Sequence, residues 1–217
     1  MVHMKILPSH SDWLENRRFA VGGSEIAAVL GLSPYMTNVD LWELKTGRQQ
    51  RKDISDKPFV KYGTQAEMHL RGLFRLDYPQ FKVEFVDNNS WTNPRYPWAQ
   101  ASLDGWLTDQ DGRRGVLEIK TSEIVQATQR QRWHNQIPAN YYCQVLFYMA
   151  VVEADYAYVK AQLKMIVDDE VLLTTKHYPI ERSDVQDDID YMMEQGERFW
   201  TYVEKDERPP LVLPNIL

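Results

Sequence analysis

Ala101-Ser102-Leu103-Asp104-Gly105 and, after a turn, Gly115-Val116-Leu117-Glu118-Ile119-Lys120-Thr121 form the stretch on which the fold turns. Alternate residues of a strand face the same side, so Glu118 and Lys120 project together while Leu117 and Ile119 face a core. Asp109-Gln110-Asp111-Gly112 reads as a hairpin turn between strands at 98–107 and 115–119. That hairpin brings Asp104, on the first strand, alongside Glu118. Two carboxylates and one ammonium then converge at the edge of a sheet.

The rest of the chain surrounds this hairpin with helices. A short helix is expected over 9–20, then a second over 26–30, opened by Gly22-Gly23-Ser24-Glu25 with Ser24 as N-cap and closed by Gly31. A third, around Leu41-Trp42-Glu43-Leu44, stops at Gly47, and the charged stretch 48–57 reads as an exposed loop. Phe59, Tyr62, Ala66, Leu70, Leu73 and Phe74 recur at helical spacing over 59–76. Beyond Pro79 the pattern changes to alternation at 81–86, and after the hairpin a helix is expected at 123–133. An apolar helix runs from Pro138 to Val152, strands follow at 156–164 and 171–179, and a last helix covers 183–204. The class is α/β: a mixed central sheet flanked by helices, in one domain over 1–217.

Composition narrows the function. The net charge of −6 argues against a protein that coats nucleic acid by bulk electrostatics, but not against a local basic patch beside an acidic metal site. One cysteine, Cys143, excludes a disulfide framework and fits a reducing cytoplasm. No apolar run spans a bilayer, so no membrane partner is expected. His69, His134 and His177 are too scattered for a zinc site.

The Asp, Glu and Lys set suits phosphodiester hydrolysis. Carboxylate oxygens are hard ligands for Mg²⁺, which keeps several waters and bridges to phosphate. A lysine beside the attacking water can orient it or take its proton. The backbone carbonyl of Ile119 points away from the side chains and adds an oxygen ligand. An exposed strand that merely pairs Glu with Lys has the same pattern.

Asp104 with Glu118-Ile119-Lys120 resembles the PD-(D/E)xK nuclease pattern of the restriction-endonuclease-like core, with Leu103 where the pattern has its proline. The neighbouring blocks resemble the phage alkaline exonucleases, the YqaJ and lambda-exonuclease group. Those blocks are Gly22-Gly23-Ser24-Glu25-Ile26-Ala27-Ala28-Val29-Leu30-Gly31-Leu32-Ser33-Pro34-Tyr35, Asp40-Leu41-Trp42-Glu43-Leu44-Lys45-Thr46-Gly47, Tyr62-Gly63-Thr64-Gln65-Ala66-Glu67, and the helix carrying Gln144.

The resemblance implies roles. Asp104 and Glu118 are metal ligands, Glu67 completes the shell directly or through water, and the site takes two Mg²⁺ ions, with Mn²⁺ able to substitute. Lys120 activates or orients the attacking water, and Gln144 holds Lys120 or that water. Arg17, Ser24 and Ser102 grip a terminal 5′-phosphate. The residues at 9–57 form a helical part that binds the DNA end, those at 58–180 the catalytic core, and those at 183–204 a C-terminal helix. Tyr35, Trp42, Arg48, Arg51 and Lys52 are candidate DNA contacts, although aromatic residues beside Pro34 also pack into folds and charged runs are often only solvated. The implied activity is processive 5′-to-3′ digestion of one strand of linear double-stranded DNA to mononucleotides, leaving 3′ single strands. The implied partners are a homotrimeric ring of this chain and a single-strand annealing protein. A nicking or structure-specific endonuclease, or a non-catalytic DNA-end binder, are the alternatives; a nuclease with an iron–sulfur cluster is excluded by the single cysteine.

Overall fold

A computed structural model describes residues 1–213. Its centre is a five-stranded mixed sheet ordered β3-β6-β7-β8-β9: Lys82–Glu84, Gly105–Thr108, Arg114–Glu123, Tyr156–Val167 and Glu170–Glu181. Strands β6 and β7 are antiparallel, with Gly105 opposite Leu117, while β7 and β8 run parallel through the crossover helix α6 (Ala139–Val152). Asp168 and Asp169, both at positive φ, make the tight turn from β8 into β9. A second sheet, ordered β1-β4-β5-β2, joins His3–Ile6, Asn89–Asn93, Tyr96–Ala101 and Val21–Gly22.

The expected mixed central sheet with helices on both sides is present, a second sheet lies beside it, and the expected strand at 98–107 is divided. Its first half is β5, its second half is β6, and Ser102-Leu103-Asp104 crosses between the sheets. Buried Asn89 enforces the break. Its side chain accepts from the Leu103 N–H at 2.8 Å and donates to the Leu103 carbonyl at 3.0 Å, replacing the ladder that a continuous strand would have used. Asp104 thus sits on the crossing and not on a strand.

Helices cover both faces of the large sheet. On one, α4 (Pro58–Asp77) packs Leu70 and Phe74 against Leu107, Leu117, Ile119 and Tyr156. On the other lies α6, buried continuously from Cys143 to Val152, with α2 (Gly23–Val29) and α7 (Arg182–Glu204) against it. The face bearing Glu118 is consequently as buried as its opposite. Gly23 is required where α2 meets α6, because a Cβ there would lie 2.2 Å from the Tyr148 ring.

Three further expectations change. The N-cap of α2 is Gly22 and not Ser24: the Glu25 carboxylate accepts the Gly22 N–H at 2.8 Å. The helix expected at 123–133 shrinks to α5 (Ala127–Gln131), because β7 keeps pairing with β8 as far as Glu123 and Lys164. The strand expected at 81–86 contracts to β3. The remaining helices are α1 (His10–Asn16), followed by a 3-10 turn at Arg17–Phe19, and α3 (Asn38–Lys45). Among the described residues no helix is long and apolar enough to cross a membrane.

Candidate active site

A cleft of about 540 Å³ opens where the two sheets meet α1, α2, α4 and α6. Asp104, Glu118, Lys120, Glu67, Gln144, Ile119, Arg17, Ser24 and Ser102 all line it. Segments separated by more than a hundred residues are brought together by the crossing at Asp104 and the parallel β7–β8 pair.

The acidic end is built around Glu118, which is 1% exposed. Lys120 Nζ lies 2.5 Å from Glu118 Oε1, and Gln144 Nε2 donates to that same oxygen at 2.7 Å. Gln144 therefore holds Glu118 and not Lys120, and its second contact, at 3.0 Å, is to the Tyr148 hydroxyl. The other carboxylate oxygen, Glu118 Oε2, is buried with no hydrogen-bond partner. Asp104 Oδ2 accepts from the Ile119 N–H at 2.8 Å. Because the N–H and C=O of a strand residue point to the same edge, the Ile119 carbonyl faces the Asp104 side too. Glu67, on α4, is engaged by Arg71, whose Nε also donates to the Asp104 carbonyl at 2.6 Å.

This crowding shifts the titrations. Burial, and next the Asp104 charge, push Glu118 up to about 8 despite Lys120. Burial and Asp104 likewise push Glu67 up to about 7, against the pull of Arg71. Burial also raises Asp104, opposed by Lys120, the Ile119 N–H and Arg71. For Lys120 burial favours the neutral amine, but Glu118 and Asp104 outweigh it and hold the ammonium above its usual range. More acid is buried here than the local cations neutralise.

Such a surplus fits a divalent cation. No three His, Cys, Asp or Glu side chains among the described residues close a ready-made cage, since Glu67 is turned onto Arg71. Mg²⁺ needs less: one or two carboxylates, with water and phosphate completing the shell. Asp104 and the orphaned Glu118 Oε2 are the carboxylate oxygens that would meet such a requirement.

At the other end, Arg17 Nη2 donates to Ser24 Oγ at 2.6 Å, and the guanidinium stands 5.0 Å from the Trp13 ring centroid. Trp13 Nε1 donates to Ser102 Oγ at 2.6 Å, and the Ser102 hydroxyl donates to the Asn89 carbonyl. Arginine and two hydroxyls thus face one pocket, suited to an anion.

The other expected DNA contacts do not line this cleft. Trp42 is a core residue, 5% exposed, and its indole N–H is aimed at the Tyr202 carbonyl at 3.3 Å, so it presents no face to a ligand. Arg48 lies over that indole and pairs with Asp206. Arg51 pairs with Glu25, and Lys52 is exposed in its loop. Tyr35 is exposed at the rim beside Tyr141, a cleft residue. Arg71, Tyr148, Trp13 and Asn89 were not anticipated. Arg71 and Tyr148 carried one signal, their i+4 spacing from Glu67 and Gln144; Trp13 and Asn89 had none, since their partners are distant in sequence.

The two-sheet α/β core around this cleft has the fold of solved exonucleases. The alkaline exonuclease LHK-Exo of Laribacter hongkongensis superposes with a TM-score of 0.66 at 19% identity, over 90% of this chain and 93% of that one. The same enzyme in complex with dAMP gives 0.63 at 16%, with the same coverage. A phage-related exonuclease of Haemophilus somnus 129PT gives 0.54 at 12%, over 86% of this chain and 96% of that one. The chain belongs to the YqaJ-like viral recombinase domain family, whose pattern matches residues 12–156. It is 27% identical over 193 residues to the YqaJ protein of Bacillus subtilis (strain 168), covering 88% of this chain but spanning only 56% of that protein.

Proposed function

We propose that the chain is a Mg²⁺-dependent 5′-to-3′ exodeoxyribonuclease that shortens one strand of linear double-stranded DNA to mononucleotides. The observation that carries this is the shared cleft: acids and lysine at one end, Arg17 with Ser24 and Ser102 at the other. A terminal phosphate seated on Arg17 would hold the adjoining phosphodiester toward Glu118 and Lys120. The exonuclease names of the structural neighbours, and dAMP bound to one of them, agree with a mononucleotide product.

Asp104, Glu118 and the Ile119 carbonyl would hold the cation, with Glu67 joining once it leaves Arg71. When bound, Mg²⁺ lowers the pKa of a coordinated water and stabilises charge on the phosphate; Mn²⁺ would serve in its place. Gln144 fixes Glu118 by holding one oxygen, leaving Oε2 free. Lys120 would orient the attacking water or, as the neutral amine, take its proton. Ser102 turns its hydroxyl from the Asn89 carbonyl to the phosphate.

On the same reading the protein works as a homotrimeric ring around the duplex and passes the exposed 3′ strand to an annealing protein. Exposed Ile166, Val167, Val171, Leu172 and Leu173 at the tip of the β8–β9 hairpin offer an apolar surface for subunit contact. The test is digestion of linear and covalently closed duplexes with Mg²⁺ or EDTA. Mg²⁺-dependent loss of the linear form alone is expected. Cutting of the closed circle would show an endonuclease instead, and binding without cleavage under any divalent metal an end-binding protein.

A further inference from the structure

Glu25 lies one layer beneath the cleft wall, 1% exposed and ringed by three cations. Its Oε2 accepts the Gly22 N–H at 2.8 Å and pairs with Lys45 Nζ at 2.8 Å. Lys45 is further tied to the carbonyls of Arg17, at 2.6 Å, and Ala20, at 2.7 Å. The other oxygen, Oε1, accepts from Arg51. Arg17 Nη2 stands 3.9 Å from that same Oε1, close enough to feel its charge but not bonded to it. Three donors already occupy the carboxylate, and Arg17 keeps its place on Ser24 facing the cleft.

We propose that Arg51 is a positioning residue for the anion pocket: by occupying Glu25 Oε1 it keeps the Arg17 guanidinium from folding onto that carboxylate. The proposal rests on the terminal-phosphate reading above and adds a residue that acts through Arg17. Arginine–carboxylate pairs are strong when they close to bonding distance, about 2.7–2.9 Å. Arg17 is poised roughly one ångström short of that. With Oε1 vacated, Arg17 is the nearest cation able to take it, and the guanidinium that should meet a phosphate would be spent on Glu25. Arg51 itself does not line the cleft, so it need not touch DNA to matter.

The experiment measures binding of short duplexes ending in 5′-phosphate or 5′-hydroxyl by fluorescence anisotropy in EDTA. The wild type, Arg51→Ala, Arg51→Lys, Arg17→Ala and the Arg17→Ala/Arg51→Ala double variant are compared. The wild type should prefer the phosphate, and Arg51→Ala should lose roughly tenfold of that preference, the scale of one charged hydrogen bond. Arg51→Lys, which keeps a cation on Glu25, should retain it. On the Arg17→Ala background, Arg51→Ala should remove nothing more. The Arg51 side chain is 44% exposed, so its truncation is compatible with folding, and unchanged binding of hydroxyl ends verifies the fold. Arg51→Ala that leaves the preference intact, or weakens both ends alike as a direct backbone contact would, overturns the proposal. A wild type with no preference overturns the phosphate pocket itself and this inference with it.

Discussion

Glu118 is the residue on which the chemistry and its pH dependence meet. Its carboxyl is pushed up to about 8 and that of Glu67 to about 7, both raised first by burial and next by the Asp104 charge. A divalent cation requires the ionised form, so it must displace those protons. The sign follows: raised carboxylate pKa values weaken metal uptake at low pH, and the handicap disappears as pH rises through both values. Apparent Mg²⁺ affinity, measured by calorimetry, should therefore increase from pH 6 to pH 8 and level off above pH 9. A pH-independent affinity would show that Glu118 and Glu67 do not receive the ion. At this scale the sequence was most informative about Asp104, Glu118 and Lys120, because strand periodicity alone puts Glu118 and Lys120 on one face. It was silent about Arg51 on Glu25 and Trp13 on Ser102, which depend on loop paths that no periodicity encodes.

The break between β5 and β6 is the element that makes the site. Apolar and aromatic residues from Trp98 to Leu107 favour one continuous strand, and local preference points the wrong way there. Asn89 overrides it with four side-chain hydrogen bonds, to Val86, Leu103 twice and Trp91. Asn89→Ala would leave the Leu103 N–H and C=O buried without partners, at about 1–3 kcal/mol each. The urea midpoint should fall by an amount equivalent to about 3 kcal/mol, and nuclease activity should fall with it, because Asp104 loses its seat. A variant as stable and active as the wild type would show that the crossing is held by other contacts. The helices were legible for the opposite reason. The α4 stripe and the wholly apolar α6 agree with their packing, so local and global preferences coincide. Strands β1 and β4 were not, because His3–Ile6 and Asn89–Asn93 are short, and β1 is held extended by its pairing with β4, itself a partner of β5.

As a whole molecule the chain is acidic, with net charge −6, yet it gathers Arg17, Lys45 and Arg51 around Glu25 beside the cleft. Long-range attraction to DNA is thus weak, and a closed ring would compensate by holding the duplex topologically. Sedimentation equilibrium should give three times the chain mass of 25.6 kDa, and Leu172→Lys at the hairpin tip should shift it toward monomer. A wild-type monomer at all concentrations would remove the ring from the proposal without touching the site. The most direct test of the site and its polarity uses linear duplexes labelled at the 5′ or the 3′ end, with Mg²⁺ or EDTA, beside Lys120→Ala. Early release of the 5′ label in Mg²⁺ alone, slowed about 10²-fold or more in Lys120→Ala, is the predicted result. Early release of the 3′ label, or undiminished activity in Lys120→Ala, would contradict it.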